Sequence, residues 1–157
     1  MIYMIWCEDI EHGIGIDNKL PWKIKEEMDH FRNITLGKTI ICGEKTFASW
    51  GNKCLPGRKN MVITLDKKYQ PIPGCEVYYD AKEVVKEYQG KKGKDIYVCG
   101  GRQIYKVFFP DADYLIISTL NKSYNCNVFM KFNLSHFKVT KTEHHQLFDV
   151  NYYARKK

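Results

Sequence analysis

The chain has 157 residues, 44% of them hydrophobic and 27% charged, with a net charge of +7. A chain this long forms one domain that buries roughly 70% of its unfolded surface, and its composition excludes an intrinsically disordered protein. Its apolar runs are too short to span a bilayer, and its basic residues are interleaved with acids instead of forming an aromatic-laced cationic stripe, which argues against membrane and nucleic-acid partners.

Short apolar runs rich in β-branched and aromatic residues alternate with helical patterns along the chain. Strands are predicted over 1–7, 38–42 ("KTIIC"), 60–64 ("NMVIT"), 75–79 ("CEVYY"), 95–99 ("DIYVC"), 113–119 ("DYLIIST"), 136–143 and 147–154. Helices are predicted over 24–35, 44–50, 80–89 and 101–109, with Asp80 and Glu83 as a capping box for the third. Nearly continuous apolar strands suit a sheet covered on both faces, and strand–helix alternation implies parallel crossovers, with the last two strands free to pair as an antiparallel hairpin. The expected fold is therefore α/β: a single-domain, three-layer arrangement over 1–157, with a mixed, mainly parallel sheet of about eight strands and four helices on its faces.

The first residues, "MIYMIWCED", lack the basic lead and cleavage site of a signal peptide. The six cysteines show no CxxC pair and no metal-ligand spacing, and Cys42 and Cys99 sit in apolar runs where a free thiol packs as a small hydrophobe. A reducing compartment, the cytoplasm, is the expectation. The five histidines form no metal-binding or triad-like pattern, so no metal site is expected.

Three stretches carry candidate chemistry. On a helical wheel of 24–35, Ile24, Met28, Phe31, Ile34 and the Thr35 methyl share one face; Glu27 lies about 50° from its centre and Glu26 about 150°. Glu26 should be solvated, whereas a carboxylate at the edge of an apolar stripe is costly unless paired and is a candidate for a raised pKa. The wheel leaves open whether Glu27 merely borders the stripe and reaches water. "TIICGEKTF" and "IYVCGGRQIY" each place glycine between a strand and a helix start, where backbone can approach a ligand and exposed N–H groups favour an anion. Neither carries GxGxxG, and each taken singly reads equally as a turn. "LPGRKN" holds Arg58 after a Pro-Gly turn, from which a guanidinium can take a carboxylate bidentately, or simply be solvated.

In their order and spacing these pieces resemble bacterial dihydrofolate reductases over nearly the whole chain: the "MIYMIW" first strand, "GIGIDNKLPW", a helix acid followed by Phe31, "TLGKTIICG", "KTFASWG", "LPGRKN" and "VCGGRQIY". The resemblance implies reduction of 7,8-dihydrofolate to tetrahydrofolate by NADPH, in a monomer that also takes antifolate-type inhibitors. By that likeness Glu27 is the active-site acid, with Trp22 and Ser118 helping to hold water and the pterin ring. The substrate walls would be Ile5, Cys7, Leu20, Met28, Phe31, Ser49, Trp50, Leu55, Cys99 and Tyr105, with Arg58 on the glutamate carboxylate. The cofactor would be lined by Cys7, Ile14, Gly15, Asn18, Leu20, Gly43, Lys45, Thr46, Thr64, Cys99, Gly100, Gly101, Arg102, Gln103, Ile104 and Tyr105, with a cis peptide joining Gly100 and Gly101.

Three positions depart from the family pattern. Glu44-Lys45 stands where many bacterial relatives carry a basic pair, which moves recognition of the NADPH 2′-phosphate onto Lys45, Thr64 and Gln103. Cys126-Asn127-Val128 replaces a Gly-Asp-Thr turn whose aspartate, in some relatives, ties down the loop around 9–23. Ser118 stands where Thr is commoner and keeps the hydroxyl. Two other readings stand beside this one: a reductase of a pyrimidine-like ring on the same fold, which would need no site for a benzoyl-glutamate tail, and a non-catalytic basic binding module.

Overall fold

The computed structural model describes residues 1–16, 20–70 and 72–157. Its elements follow in the order β1 (Ile2–Glu8), β2 (Gly13–Gly15), α1 (Lys25–Thr35), β3 (Thr39–Gly43), α2 (Glu44–Ser49), β4 (Lys59–Ile63), β5 (Cys75–Tyr78), α3 (Ala81–Tyr88), β6 (Ile96–Val98), α4 (Arg102–Phe108), β7 (Tyr114–Leu120), β8 (Val128–Phe129), β9 (Phe137–His144) and β10 (Phe148–Arg155). Eight strands form one sheet in the order β5-β4-β3-β6-β1-β7-β10-β9. Pairings from β5 across to β7 are parallel, and β10 joins antiparallel to both β7 and β9. All eight predicted strands and four helices are present, with ends shifted by a residue or two.

The interior strands are buried on both faces because their sequences are apolar at consecutive positions, as in Ile2, Met4, Ile5 and Trp6 of β1. One face carries Met4, Trp6, Ile41, Leu115 and Ile117, covered by Val84 and Tyr88 of α3 and Tyr105 and Phe108 of α4. The other carries Ile5, Ile40, Ile116 and Val150, covered by Phe31 and Ile34 of α1, with Phe47 of α2 packing on Cys42 and Val62 beside it. That makes the three layers. At the sheet's edge β9 reads FKVTKTEH and is almost wholly exposed, its lysines discouraging pairing with another chain.

Some features differ from the sequence expectation. A second, two-stranded sheet pairs β2 with β8; three and two residues are too few to show a period. The fourth helix stops at Phe108, and a 3₁₀ turn, Phe109–Asp111, follows because Pro110 cannot continue the α-helical ladder. The capping box of α3 is a simpler cap: the Asp80 carboxylate accepts the Lys82 N–H at 2.9 Å. Cys7, Cys42, Cys99 and Cys126 are free thiols, whereas a disulfide joins Cys54, in the loop before β4, to Cys75 at the start of β5. Among the described residues no helix is long and apolar enough to cross a membrane.

The Asp80 cap lies at the start of α3, just past the carboxyl end of β5, where the Tyr78 carbonyl accepts the Thr64 N–H. Asp80→Ala is expected to lower unfolding free energy by about 1 kcal/mol, read from urea denaturation.

Candidate active site

In parallel sheets ligands sit at the carboxyl ends of the strands. Here those ends bring together Cys7 of β1, Gly43 of β3 and the Cys99-Gly100-Gly101 segment after β6. Alongside them lies α1. Its Ile24 and Thr35 are buried and Phe31 and Ile34 partly so, as the wheel requires, but Met28 is 51% exposed. The wheel assigns Met28 to the apolar face without knowing that the upper part of that face overlooks a cleft instead of a filled core. Leu20, at the other lip, is likewise exposed.

The two glutamates separate as expected. Glu26 is exposed, with His145 Nδ1 3.7 Å from its Oε2. Glu27 turns toward Cys7, and burial pushes its pKa up to about 7, partly offset by a hydrogen bond from the Cys7 thiol. Burial, and then the nearby Glu27 charge, push the Cys7 thiol upward in turn, so sulfur keeps its proton and serves as donor. Ser118 is opposite Cys7 in the β1–β7 register and is 1% exposed. Trp22 is buried too, its ring edge-on to Tyr124, and its indole Nε1 has no hydrogen-bond partner among the described residues. A buried N–H without an acceptor is uncommon and points to a ligand or water at that place.

Ile5, Trp22, Cys7, Phe31, Trp50, Leu55 and Cys99 belong to one apolar cluster. Arg58 is half-buried at its edge; Nη1 donates to Thr35 Oγ1 at 3.2 Å and Nε to the Pro56 carbonyl at 3.0 Å. Burial lowers its pKa somewhat, which leaves a guanidinium charged at any ordinary pH. Two residues not singled out from sequence build this corner. Asn60, 3% exposed, bonds both the N–H and the carbonyl of Leu55 and the carbonyl of Arg58, at 2.9–3.0 Å. Thr35, wholly buried, donates to the Phe31 carbonyl while accepting from Arg58. An asparagine opening an otherwise apolar strand was the available signal for the first. Ser49, expected on the substrate wall, is exposed and donates to its own helix at the Thr46 carbonyl.

The two glycine junctions meet. The Gly43 N–H donates to the Gly100 carbonyl at 2.8 Å, and Gly100–Gly101 is a cis peptide. Gly100 has φ +120°, a conformation only glycine adopts readily, and a Cβ on Gly101 would lie 3.1 Å from Thr46 Oγ1. Ile104 packs over Gly43, and Tyr105 is buried, its hydroxyl donating to the Ile5 carbonyl at 2.7 Å. Ile14 packs with Ile104 and Tyr105 on the other cluster, and Gly15 follows it in β2. Lys45 and Gln103 are exposed, as is Arg102, whose Nε donates to the Phe129 carbonyl. Thr64 is buried just past β4 with its hydroxyl accepting the Asp66 N–H. Asn18 lies outside the described residues. Backbone amides, small residues and rim cations in this arrangement fit a phosphate-bearing cofactor.

Two hollows lie apart from this cleft. One, about 370 Å³, lies between α1 and the β9–β10 hairpin and is lined by Glu26, Asp29, His30, Glu143, His145 and Tyr152. The other, about 430 Å³, lies on the opposite sheet face beside Trp6, Glu8 and Phe132.

A family model described as dihydrofolate reductase matches residues 1–156. A curated relative from Ureaplasma parvum serovar 3, named dihydrofolate reductase, is 36% identical over 157 residues, spanning 100% of this chain and 99% of that one. Another of that name, from Mycoplasma genitalium, is 35% identical over 159 residues and spans 99% of each chain. In fold, the chain is similar to a solved dihydrofolate reductase from Enterococcus faecalis, complexed with NADP(H) and RAB-propyl, with a TM-score of 0.88 at 24% identity, covering 100% of this chain and 97% of that one.

Glu27 makes stability depend on pH in a definite direction. Below its ordinary pKa of 4.5 both folded and unfolded states hold the proton, and nothing is lost. Between there and about 7 the unfolded chain releases it while the folded chain keeps it, so stability falls as pH rises. The full loss is on the order of 3 kcal/mol at about 1.4 kcal/mol per unit. Urea unfolding of the ligand-free protein should therefore show Glu27→Gln matching the wild type near pH 4 and exceeding it above about pH 7. Parallel profiles would rule out a buried titrating Glu27.

Proposed function

The chain belongs to the dihydrofolate reductase family, and on that premise we propose that Glu27 assists protonation of the pterin while dihydrofolate is reduced to tetrahydrofolate. The observation that carries the reading is a carboxyl in an apolar cleft whose pKa is pushed up to about 7. Such a group holds its proton at neutral pH often enough to deliver it, directly or through water, and its ionised form accepts hydrogen bonds from an amidine edge. NADPH, when bound, supplies the hydride.

The chain's own residues account for the rest. Ile5, Phe31, Trp50 and Leu55 give the ring an apolar slot that excludes bulk water, which strengthens the Glu27 electrostatics. The unpartnered Trp22 Nε1 and the buried Ser118 hydroxyl are available to hold a water or a ring substituent near that carboxyl. Arg58, held by Thr35 and by the Asn60-braced turn, is a preset clamp for the glutamate tail. That clamp favours dihydrofolate over a pyrimidine-like ring without a tail. Gly43, Gly100, Gly101 and Thr46 hold the cofactor backbone, and Lys45 and Gln103 with Thr64 face its 2′-phosphate. Cys7, Ile14, Cys99 and Tyr105 line the nicotinamide end, and Leu20 and Met28 close the lips of the cleft on either ligand. The enzyme works as a cytoplasmic monomer of one domain, its product feeding one-carbon metabolism and thymidylate synthesis; antifolate-type inhibitors compete for the same cleft.

Purified protein should deplete the near-ultraviolet absorbance of NADPH on addition of dihydrofolate, and do so faster than with NADH. Glu27→Gln should slow turnover at neutral pH by about 100-fold or more while NADPH binding is kept, and Glu26→Gln should change it little. In the wild type the hydride step should fall as pH rises past the controlling pKa, approaching tenfold per unit. A step that ignores pH, or equal mild effects of the two substitutions, would count against Glu27.

Arg58→Leu should raise KM for dihydrofolate on the order of ten- to a hundredfold, the loss of a charge-assisted hydrogen bond. For a reduced pterin lacking the benzoyl-glutamate tail, KM should stay unchanged. Equal losses for the two substrates would place Arg58 elsewhere than on the tail.

A further inference from the structure

Asp9 is a carboxylate that the site described above does not use, and it is 1% exposed. It follows β1 directly and begins the turn into β2. Its Oδ1 accepts the N–H groups of Glu11 at 2.9 Å and Gly13 at 2.8 Å, which close that turn. Its Oδ2 reaches across to the Tyr124 N–H at 2.9 Å, 115 residues away in sequence. Burial raises the carboxyl's pKa, but the N–H groups of Tyr124, Gly13 and Glu11 outweigh burial and leave it below the ordinary value, so it is ionised in the working range.

Around it, two segments are drawn together. The Ile10 N–H donates to the Lys122 carbonyl, that of Asn127 to Gly15, and that of Met130 to His12, at 2.8–3.2 Å. The approach is so close that a Cβ on Gly13 would lie 2.3 Å from Cys126 Cβ. Both segments carry residues of the site: β2 carries Ile14, and Tyr124 buttresses the Trp22 ring at 5.4 Å between centroids.

We infer that Asp9 is a positioning residue for the reaction, fastening the strand that carries Ile14 to the segment that supports Trp22. The inference rests on the reading of Ile14 and Trp22 proposed above. Chemically it is a divided carboxylate: one oxygen shapes its own turn, and the other links that turn to a distant loop. The link runs from the β1–β2 turn toward the 122–130 segment, so it does not depend on an aspartate in Cys126-Asn127-Val128. Displacements of about 1 Å at a reacting pair can cost about 100-fold in rate, so a loosened link should be visible in the hydride step.

Asp9→Asn separates the two roles. The amide oxygen can keep the two turn bonds, while its NH₂ then confronts the Tyr124 N–H, donor against donor. Asp9→Ser is the second variant; it is too short to span to Tyr124 and places no amide there. Asn133→Ala, which removes a turn bond of the same kind (Oδ1 on the Ser135 N–H), controls for general destabilisation. Single-turnover hydride transfer at saturating NADPH and dihydrofolate should slow about tenfold in both Asp9 variants, with its pH midpoint unmoved, and stay at the wild-type rate in Asn133→Ala. Hydrogen exchange at the Tyr124 amide should accelerate in the same two variants. Hydride rates within twofold of wild type in folded Asp9 variants, or an unchanged Tyr124 amide, would overturn the inference. A wild type that does not reduce dihydrofolate would instead overturn the reading beneath it, and the inference with it.

Discussion

A carboxylate on an apolar wall is the constraint around which this molecule is arranged. An isolated charge in such a place is unfavourable, so the group either finds partners or keeps its proton. Glu27 does some of each: the Cys7 thiol donates to it, while burial still holds its pKa near 7. The surrounding polar atoms are few. Ser118 and the Trp22 indole N–H are both buried nearby, the latter without a partner. Among the described residues of the cleft, Glu27 is the carboxyl that this burial holds near neutrality.

The parallel sheet makes this possible by delivering several strand ends to one edge. β1, β3 and β6 finish side by side, so Cys7, Gly43 and Gly100 become neighbours although they are scattered in sequence. On the reading proposed above, the two ligands are served by different physics. At the substrate end side chains would do the recognising, with Arg58 aimed by the bonds it donates to the Thr35 hydroxyl and the Pro56 carbonyl. At the cofactor end the backbone is laid bare by glycine, and side-chain bulk would obstruct it. The flanking β1–β2 turn is tied down by Asp9.

Much of this was legible in the sequence, for reasons that differ element by element. The long strands announce themselves because burial on both faces demands uninterrupted apolar residues, and α1 does so through its spacing. β2 and β8 do not, because "GIG" and "VF" form strands only through each other. Met28 misleads because a wheel cannot distinguish a cleft wall from a packed core. Glu27 stands near the boundary on the wheel, and only burial against Cys7 decides its character. Asp9 is silent in sequence, and Thr35 and Asn60 show no more than a methyl on an apolar helix face and an asparagine near the start of an apolar strand, since the roles of all three are hydrogen bonds whose partners the fold supplies. The pairing of Cys54 with Cys75 is likewise a matter of a loop meeting a strand start, which no spacing rule reveals.

The most direct measurement is titration of the Glu27 carboxyl itself, by infrared difference spectroscopy of the ligand-free wild type against Glu27→Gln, from about pH 4 to about pH 9. The account predicts one carboxyl whose protonated C=O band disappears with a midpoint of about 7. A midpoint at the ordinary value of 4.5 would contradict it, because Glu27 would then be a solvated carboxylate with no proton to give at neutral pH.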